Sequence, residues 1–147
     1  MAEVTSSVRP AELATRLRFA VMRLSRRLRQ HTGSDITQSQ LSALATVVND
    51  GPLALRDLAA AERVQPPTIT RIVESLTEAG FVARTQDTVD RRVAWVEATK
   101  DGRALVEQIR RRRDTYLARR LRTFEPEELA VLARAAALLE RLTEDPE

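Results

Sequence analysis

Apolar residues recur at helical spacing along the first part of the chain, after ten residues that show no periodicity. The positions that repeat every three or four residues are Leu13, Leu17, Val21, Leu24 and Leu28, with arginines between them. This spacing predicts an amphipathic helix of about 20 residues. Its start is predicted at Pro10, because a proline suits the first turn of a helix.

A capping box predicts where the second helix begins. The hydroxyl of Thr37 can accept a hydrogen bond from the amide three residues later, and the side chain of Gln40 can reach back to the cap. Residues 49–52, which read Asn-Asp-Gly-Pro, end this helix.

Two shorter helices follow. The third is predicted over Leu55–Glu62, and its start is soft because the two residues before it offer no capping side chain. Pro66 and Pro67 open the fourth helix, and Gly80 ends it. The buried stripe predicted for the fourth helix consists of Ile69, Ile72, Val73 and Leu76.

The remaining pattern predicts two β-strands and two long helices. The strands are predicted over Phe81–Thr85 and Val93–Ala98, with a charged tip at residues 86–92 between them. A threonine caps the fifth helix, predicted over Thr99–Leu121, and a proline starts the sixth, predicted over Pro126–Leu142. The predicted fold is mostly α with a small β-wing, in the order α-α-α-α-β-β-α-α.

Composition bounds the class of protein. With 147 residues and 43% hydrophobic content, the chain suits one compact domain over residues 1–147. The absence of cysteine excludes disulfides and thiolate metal sites, and His31 alone does not predict a histidine-based metal site. No apolar run approaches the ~20 residues that cross a bilayer, and the N-terminus lacks the pattern of a secretion signal. We expect a soluble, cytoplasmic protein with no membrane partner.

No pattern in the sequence predicts catalysis. No serine or carboxylate pair stands in a catalytic arrangement, and four glycines cannot build a phosphate-binding loop. The sequence therefore predicts that the protein is not an enzyme, and it predicts no cofactor.

Of the 24 lysines and arginines, 23 are arginines and one is a lysine, Lys100. Selection for phosphate and base recognition would produce this bias, since a guanidinium binds anions through two parallel hydrogen bonds. A GC-rich genome would produce it as well. Composition alone leaves the question open, so the placement of the arginines has to decide it.

The third helix, a tight turn, the fourth helix and the hairpin together describe a winged helix-turn-helix. In such a motif one helix enters the major groove, and the hairpin can place a basic tip in the neighbouring minor groove. The side chains predicted to face DNA are Gln65, Pro67, Thr68, Thr70, Arg71 and Ser75 on the fourth helix, with Arg91 and Arg92 at the wing tip. Taken singly, each could belong to a solvated face; their joint placement favours DNA binding.

An ordered set of short motifs runs through the chain. The pieces are Ile36, Thr37-x-x-Gln40-x-x-x-Leu44, Leu58-Ala59, the run from Val64 to Leu76, Ala79-Gly80-Phe81-Val82-x-Arg84, Asp90-Arg91-Arg92 and Thr99-x-x-Gly102. No single piece is decisive. At these spacings and in this order, the set resembles the MarR family of bacterial transcription regulators over nearly the whole chain.

The resemblance implies a triangular homodimer that binds a palindrome in double-stranded DNA. Residues 10–32 and 100–147 would form the dimerisation helices, and residues 36–98 the DNA-binding region. The surplus of leucine and alanine on the terminal helices fits a core shared by two subunits. Packing within one chain would leave more of this apolar surface to cover.

The resemblance also implies roles in the wing. Arg92 corresponds to the family's wing arginine, and Asp90 to a residue that orients the wing, which we expect to act through an ion pair with Arg84. We therefore assign Arg84 and Asp90 wing-structuring roles. The sequence departs from the family pattern at Gln65 and Ala54, where a serine or threonine often caps the helix, and each departure weakens capping by ~1 kcal/mol.

For many members, the resemblance implies release from DNA by a small aromatic acid or phenol. The ligand would bind among the first, second and fifth helices, between the dimerisation helices and the winged region. The sequence does not identify its lining residues; His31, Trp95 and Tyr116 are the rare side chains of interest. We expect Trp95 to pack within the wing and His31 to be solvated or to cap a helix.

The run Arg110–Arg113 lies outside the winged region. It could contact DNA, bind an acidic ligand, or form a solvated face that pairs with Glu107 and Asp114. Because four consecutive residues spread around a helix, we expect the solvated face.

The sequence thus predicts a homodimeric, sequence-specific DNA-binding transcription regulator, with repression relieved by a small molecule as the expected mode. The alternative is a winged-helix module that has lost DNA binding and docks a protein. Arg71 and Arg92 favour the first hypothesis, and the salt dependence of DNA binding distinguishes the two.

Overall fold

The computed structural model describes residues 8–144 of the chain. In this range it has six helices and three short strands, in the order α1 (Pro10–Gln30), α2 (Gln38–Asp50), β1 (Leu53–Ala54), α3 (Leu55–Glu62), α4 (Pro66–Glu78), β2 (Val82–Gln86), β3 (Ala94–Ala98), α5 (Lys100–Leu121) and α6 (Pro126–Arg141). The mostly helical fold with a small wing is confirmed. Residues 1–7, predicted to lack periodicity, and the last three residues of the predicted dimerisation range lie outside the described residues.

Local side-chain signals account for the start of two helices. The Thr37 hydroxyl accepts from the amide of Gln40 at 3.1 Å, and Gln40 Oε1 accepts from the amide of Thr37 at 3.0 Å, so the predicted capping box is confirmed. The Thr99 hydroxyl accepts at 3.1 Å from the amide three residues later, which caps α5. Ala54 and Gln65 provide no side-chain cap to α3 and α4, as expected.

A single apolar core joins α2, α3, α4, α5 and the sheet. The largest fully buried side chains are Leu44, Val47, Leu58, Ile69, Val73, Leu76, Val96 and Ile109. Of the stripe predicted for α4, Ile69, Val73 and Leu76 are buried and Ile72 is partly buried against the same cluster. This stripe holds one face of α4 inward and leaves the opposite face at the surface.

The sheet contains a strand that the sequence analysis did not predict. The order is β1-β3-β2, all antiparallel, with Leu53 opposite Val96 and Ala54 opposite Trp95. The sequence predicts Leu53 and Ala54 only as the soft start of α3, whereas in the structure they form β1. A two-residue strand carries no alternation of its own, and it exists through pairing with a strand some 40 residues away in sequence.

The two hairpin strands begin one residue later than predicted. β2 covers Val82–Gln86, and β3 begins at Ala94. Phe81, the residue before β2, closes the end of α4 from outside the helix, because its amide donates to the carbonyl of Leu76 at 2.9 Å. Gly80 makes this possible with a left-handed φ of 81°, which confirms the predicted end of the helix.

The terminal helices α1 and α6 lie outside the core, and neither has a buried residue in the single chain. Their exposed large apolar side chains are Leu13, Phe19, Val21, Met22, Leu24, Leu129, Val131, Leu132, Leu138 and Leu139. Isolated helices shorter than ~12–15 residues are marginal in water, and α6, at 16 residues, is barely longer. Among residues 8–144, no helix combines the length and apolar character needed to span a bilayer.

The backbone of Arg63, at the end of α3, adopts a left-handed conformation with φ 55°. This conformation costs a non-glycine residue about 1–2 kcal/mol, whereas a glycine loses about 0.5–1 kcal/mol more chain entropy on folding. We expect Arg63→Gly to raise the free energy of unfolding by about 0.5–1 kcal/mol. Urea denaturation at one fixed protein concentration measures this change.

Arg103→Gly is the matched control, because Arg103 is also exposed but lies within α5. Glycine within a helix should lower the free energy of unfolding by about 1 kcal/mol. If both variants were destabilised equally, the left-handed conformation of Arg63 would carry no strain.

Candidate nucleic-acid interface

A turn of three residues joins α3 to α4. The amide of Val64 donates to the carbonyl of Ala59 at 3.0 Å, and the amide of Thr68 donates to the carbonyl of Gln65 at 3.0 Å. These bonds close the first helix and open the second, so α3 and α4 form the predicted helix-turn-helix. Both helices pack against α2.

The outward face of α4 carries most of the predicted contact residues. Those that are exposed are Gln65, Pro67, Thr68, Arg71 and Ser75. Thr70 is half-buried, and its hydroxyl donates to the carbonyl of Pro66 at 2.9 Å. Because this hydroxyl is already engaged within the helix, Thr70 is the weakest candidate among the six for a base contact.

The loop between β2 and β3 forms an ordered wing tip. Gln86 donates from Nε2 to the carbonyl of Arg91 at 2.7 Å, and the amide of Asp87 donates to the carbonyl of Val93 at 2.9 Å. Arg91 and Arg92 are both exposed at this tip. β2 packs against α4, so the hairpin that carries these two arginines lies beside that helix.

A helix-turn-helix followed by a basic wing matches a known family. The MarR family model matches residues 36–94. An HTH-type transcriptional regulator of Mycobacterium bovis is 43% identical over 136 residues, which cover 92% of this chain and 95% of that protein. This chain belongs to the MarR family. It is a MarR-family transcriptional regulator, and its relatives are regulators, not enzymes.

Further relatives and solved structures support the assignment. The transcriptional repressor MdtR of Bacillus subtilis is 30% identical, over 76% of this chain and 72% of that protein. The structure of a transcriptional regulator from Pseudomonas aeruginosa has a TM-score of 0.84 and 32% identity, covering 92% of this chain and 96% of that one. Bordetella bronchiseptica BpsR, whose DNA binding is regulated by 6-hydroxynicotinic acid, has a TM-score of 0.64 and 26% identity, covering 90% of this chain and 99% of that one.

In the wing of this MarR-family regulator, Asp90 pairs with Arg92. Its Oδ1 accepts from the backbone N–H and from Nε of Arg92, both at 3.1 Å, and its Oδ2 accepts from Nη2 at 3.2 Å. The predicted ion pair between Asp90 and Arg84 is wrong: the two side chains line one cleft, but no salt bridge joins them within residues 8–144. Asp90 pairs with Arg92 because Arg92 lies two residues away in the same turn and offers both a backbone donor and side-chain donors.

These bonds hold the guanidinium of Arg92 in one orientation at an exposed position. Hydrogen bonds from the Arg92 side chain and backbone lower the pKa of the Asp90 carboxyl below its ordinary value of 3.8, and the charge of Arg56 lowers it further. Asp90 is therefore ionised at neutral pH, and the pair is intact there.

The arginine run of α5 is only in part the solvated face that we expected. Arg111 pairs with Glu107 at 3.2 Å, as predicted. The predicted pairing with Asp114 is absent from the described part of the chain. Arg110 instead donates to Oδ1 of Asn49, at the end of α2, at 3.2 Å.

The other two arginines bind the loop between α1 and α2. Arg112 donates to the carbonyl of Gly33 at 2.7 Å and to that of Thr32 at 3.3 Å, and Arg113 donates to the Thr32 hydroxyl at 3.1 Å. Desolvation, with the neighbouring charge of Arg29, lowers the pKa of Arg113. Arg110 and Arg112 stay exposed, as expected, whereas Arg113 is half-buried. The additional bonds arise because the loop and α2 both pass close to α5.

Two of the rare aromatic side chains meet. His31 caps the C-terminus of α1, and its ring stacks on Tyr116 of α5 with centroids 3.9 Å apart. Both line a cavity of about 500 Å³ between these helices. Because the two residues are far apart in sequence, no local pattern could have predicted the contact. Trp95 is half-buried in β3, opposite Ala54 and Thr85, as expected for a packing residue.

The lowered pKa of Asp90 predicts how the wing responds to acid. The pair with Arg92 should be fully present above the ordinary pKa of 3.8 and should break as the pH falls through the lower, folded-state pKa. NMR of the Arg92 Nε–H resonance should therefore show a titration with its midpoint below 3.8.

Asp90→Asn should abolish this titration, since an amide does not ionise in this range. Asp57→Asn is the matched control, because Asp57 is an exposed carboxylate next to Arg56. It should leave the Arg92 titration in place. A midpoint at or above the ordinary value, or no titration in the wild type, would contradict the pairing.

Proposed function

We propose that this MarR-family regulator is a homodimeric repressor that binds a palindromic operator in double-stranded DNA and is released by a small aromatic acid. One observation carries the DNA-binding part: the exposed polar face of α4 is accompanied by a wing whose Arg92 is held outward by Asp90. A helix of this kind fits the major groove, and arginines of the wing reach the neighbouring minor groove.

The exposed side chains of α4 offer contacts of distinct chemistry. Arg71 can bind guanine and Gln65 can bind adenine, each through two hydrogen bonds, and the Thr68 methyl can touch thymine. Pro67 and Ser75 complete the reading face, with Thr70 in a minor role. Arg91 and Arg92 supply the wing contacts. Residues 36–98 form the DNA-binding region in this proposal.

A second copy of the chain is the occupant that best fits the apolar faces of α1 and α6. These helices bury nothing in the single chain and expose leucine, valine, methionine and phenylalanine side chains. An apolar surface of this extent is unusual on a monomer. Residues 10–32 and 100–147 would pair across a two-fold axis, and the two α4 helices would then meet two half-sites of a palindrome.

Repression is the mode that we propose, because a dimer bound over a promoter excludes the polymerase. The repressor MdtR is similar to this chain over three quarters of its length, which supports the same sense of regulation.

Fluorescence anisotropy on the DNA that flanks the gene of this protein tests the proposal. We expect tight binding that prefers this DNA over random DNA, with an affinity that falls with salt at a slope of about −0.9 per phosphate contacted. Light scattering should give two chains per particle. Transcription in vitro from the same flank should fall when the protein is added.

Arg71→Ala should reduce the preference for the operator by ~1–3 kcal/mol, because it removes a base contact. Arg103→Ala is the matched control, since this exposed arginine lies in α5 outside the winged region. Leu132→Asp should give monomers with weak operator binding. Salt-insensitive binding without preference would instead favour the protein-docking alternative.

The cavity beside His31 and Tyr116 is the proposed effector site. Its volume of about 500 Å³ lies within the range of roughly 300–1,000 Å³ for small-molecule sites, and Arg112 and Arg119 also line it. An aromatic ring can pack against Tyr116, and a carboxylate can bind Arg112. Arg112 would then exchange its bond to Gly33 for a bond to the ligand, which would loosen the loop between α1 and α2.

Benzoate and benzamide form a matched pair of probes, because they share a ring and differ in charge. We expect benzoate to weaken operator binding in the anisotropy assay and benzamide to have a much smaller effect. Arg112→Gln should abolish the response to benzoate, whereas Arg27→Gln, on an exposed arginine of α1 that does not line this cavity, should leave it intact. An equal response to both probes would contradict a charge-based site.

A further inference from the structure

Three arginines converge on one cleft between the start of α3 and the base of the wing. Arg56, Arg84 and Arg92 line it, together with one carboxylate, that of Asp90. The cleft has a volume of about 420 Å³, and its remaining lining residues are apolar. A guanidinium usually has a carboxylate, a carbonyl or water to satisfy it, so this concentration of positive charge needs an explanation.

The single carboxylate of the cleft is already bound. Asp90 chelates Arg92 through both of its oxygens, at 3.1 and 3.2 Å. Among residues 8–144 Arg56 makes one salt bridge, to Asp57 at 4.0 Å, and their side chains are 80% and 60% exposed, so this contact is weak. Asp90 lies close enough for the charge of Arg56 to lower its pKa, but its oxygens are bound to Arg92. The guanidinium of Arg56 is therefore not neutralised by a close acidic partner and remains free to bind an anion in the cleft.

Arg84 is the second charge without a close partner. It makes no ion pair within 4.0 Å among residues 8–144, although Glu74 and Glu78 line a neighbouring depression with it. Arg84 also lines a third depression with Arg91 and Arg92. A strip of positive charge thus runs from the wing tip, through Arg84, to Arg56 on α3.

The geometry points to a phosphate-binding cleft in which Arg56 and Arg84 hold a backbone phosphate of the bound DNA. This inference rests on the proposed function, because it assumes that the outward face of α4 meets DNA. The cleft lies between α3 and the wing, the two elements that flank α4. The continuous strip favours a phosphate in a polymer over a single free ion, since a polymer offers charges in a row.

A phosphate contact supplies affinity and register but carries no sequence information. The inference therefore separates Arg56 and Arg84 from the readers on α4. It also changes the role of Arg84, which binds DNA in this account and does not serve as the ion-pair partner of Asp90.

The test measures the salt slope of DNA binding by the full chain on operator and on random DNA. The double variant Arg56→Gln with Arg84→Gln should make the slope shallower by about 0.9, the value for one phosphate. Its affinity for both DNAs should fall by the same factor, on the order of three- to ten-fold, so the preference for the operator is kept.

The single variant Arg56→Gln guards against misfolding, because this exposed side chain makes few contacts. It should reproduce part of the change in slope with an unaltered thermal unfolding midpoint. Arg103→Gln is the charge-matched control. Arg103 lies near the start of α5, where Thr99 bonds to the carbonyls of Gly80 and Phe81 at the end of the hairpin opposite to the tip. It should leave the slope unchanged.

A slope that stays unchanged in the double variant, while the wild type binds DNA, overturns the cleft and leaves the proposed function standing. A wild type that shows no salt-sensitive DNA binding overturns the proposed function itself. Calorimetric titration of the DNA-free protein with inorganic phosphate separates the two sources of phosphate. Saturable binding below millimolar concentrations that the double variant loses, together with an unchanged slope on DNA, would assign the cleft to a free anion and overturn the DNA contact.

Discussion

The burial of one face of α4 is the constraint on which the proposed DNA-facing surface depends. Ile69, Val73 and Leu76 lie in the core, so the helical period directs Thr68 and Arg71 to the opposite side. Rotation of the helix by one position would carry a guanidinium into an apolar core, and burying an unpaired charge is far more costly than losing one apolar contact. The core therefore stabilises the fold and also sets which side chains of α4 are open to the proposed DNA contact.

The arginines of this chain serve different purposes, and their acceptors distinguish them. Arg112 and Arg113 bind the loop between α1 and α2, so they act as internal connections, although the buried Nε of Arg113 has no hydrogen-bond partner within residues 8–144. Arg92 is satisfied by a carboxylate yet stays exposed, which fixes its direction without removing it from solvent. Arg71 is exposed on the outward face of α4 and makes no hydrogen bond or ion pair in the described part of the chain, so its guanidinium is open to the DNA contact that we propose.

Features with a local cause could be predicted from the sequence, and features that depend on distant residues could not. The caps at Thr37 and Thr99 and the stop at Gly80 each depend on a few neighbouring residues. The strand β1 and the contacts of Arg110 and Arg112 depend on partners 40 to 80 residues away, and no periodicity encodes them. The pairing of Asp90 was mispredicted for a different reason: charge complementarity allows several arginines, and only the turn geometry selects the nearest one.

The helix α5 contacts both the winged region and the loop between α1 and α2, and the two contacts differ in kind. Near its start, Val106 and Ile109 are buried, and Gly102 packs so closely on the carbonyl of Phe81 that a Cβ would not fit. Close-packed contacts of this kind resist change, so we expect the first half of α5 and the winged region to move together.

Farther along α5, the link to the loop between α1 and α2 consists of the polar bonds of Arg112 and Arg113. A hydrogen bond that involves a charged group contributes about 1.5–3 kcal/mol in net terms. Arg112 is exposed, so water or a ligand can take over its bonds, whereas the buried Nε of Arg113 has no partner within the described residues. In the proposed dimer, we expect a change of spacing between the two DNA-binding regions to begin at these polar contacts. The close-packed contacts at the start of α5 would then transmit the change to α4, because α4 and the core that orients it would move as one body.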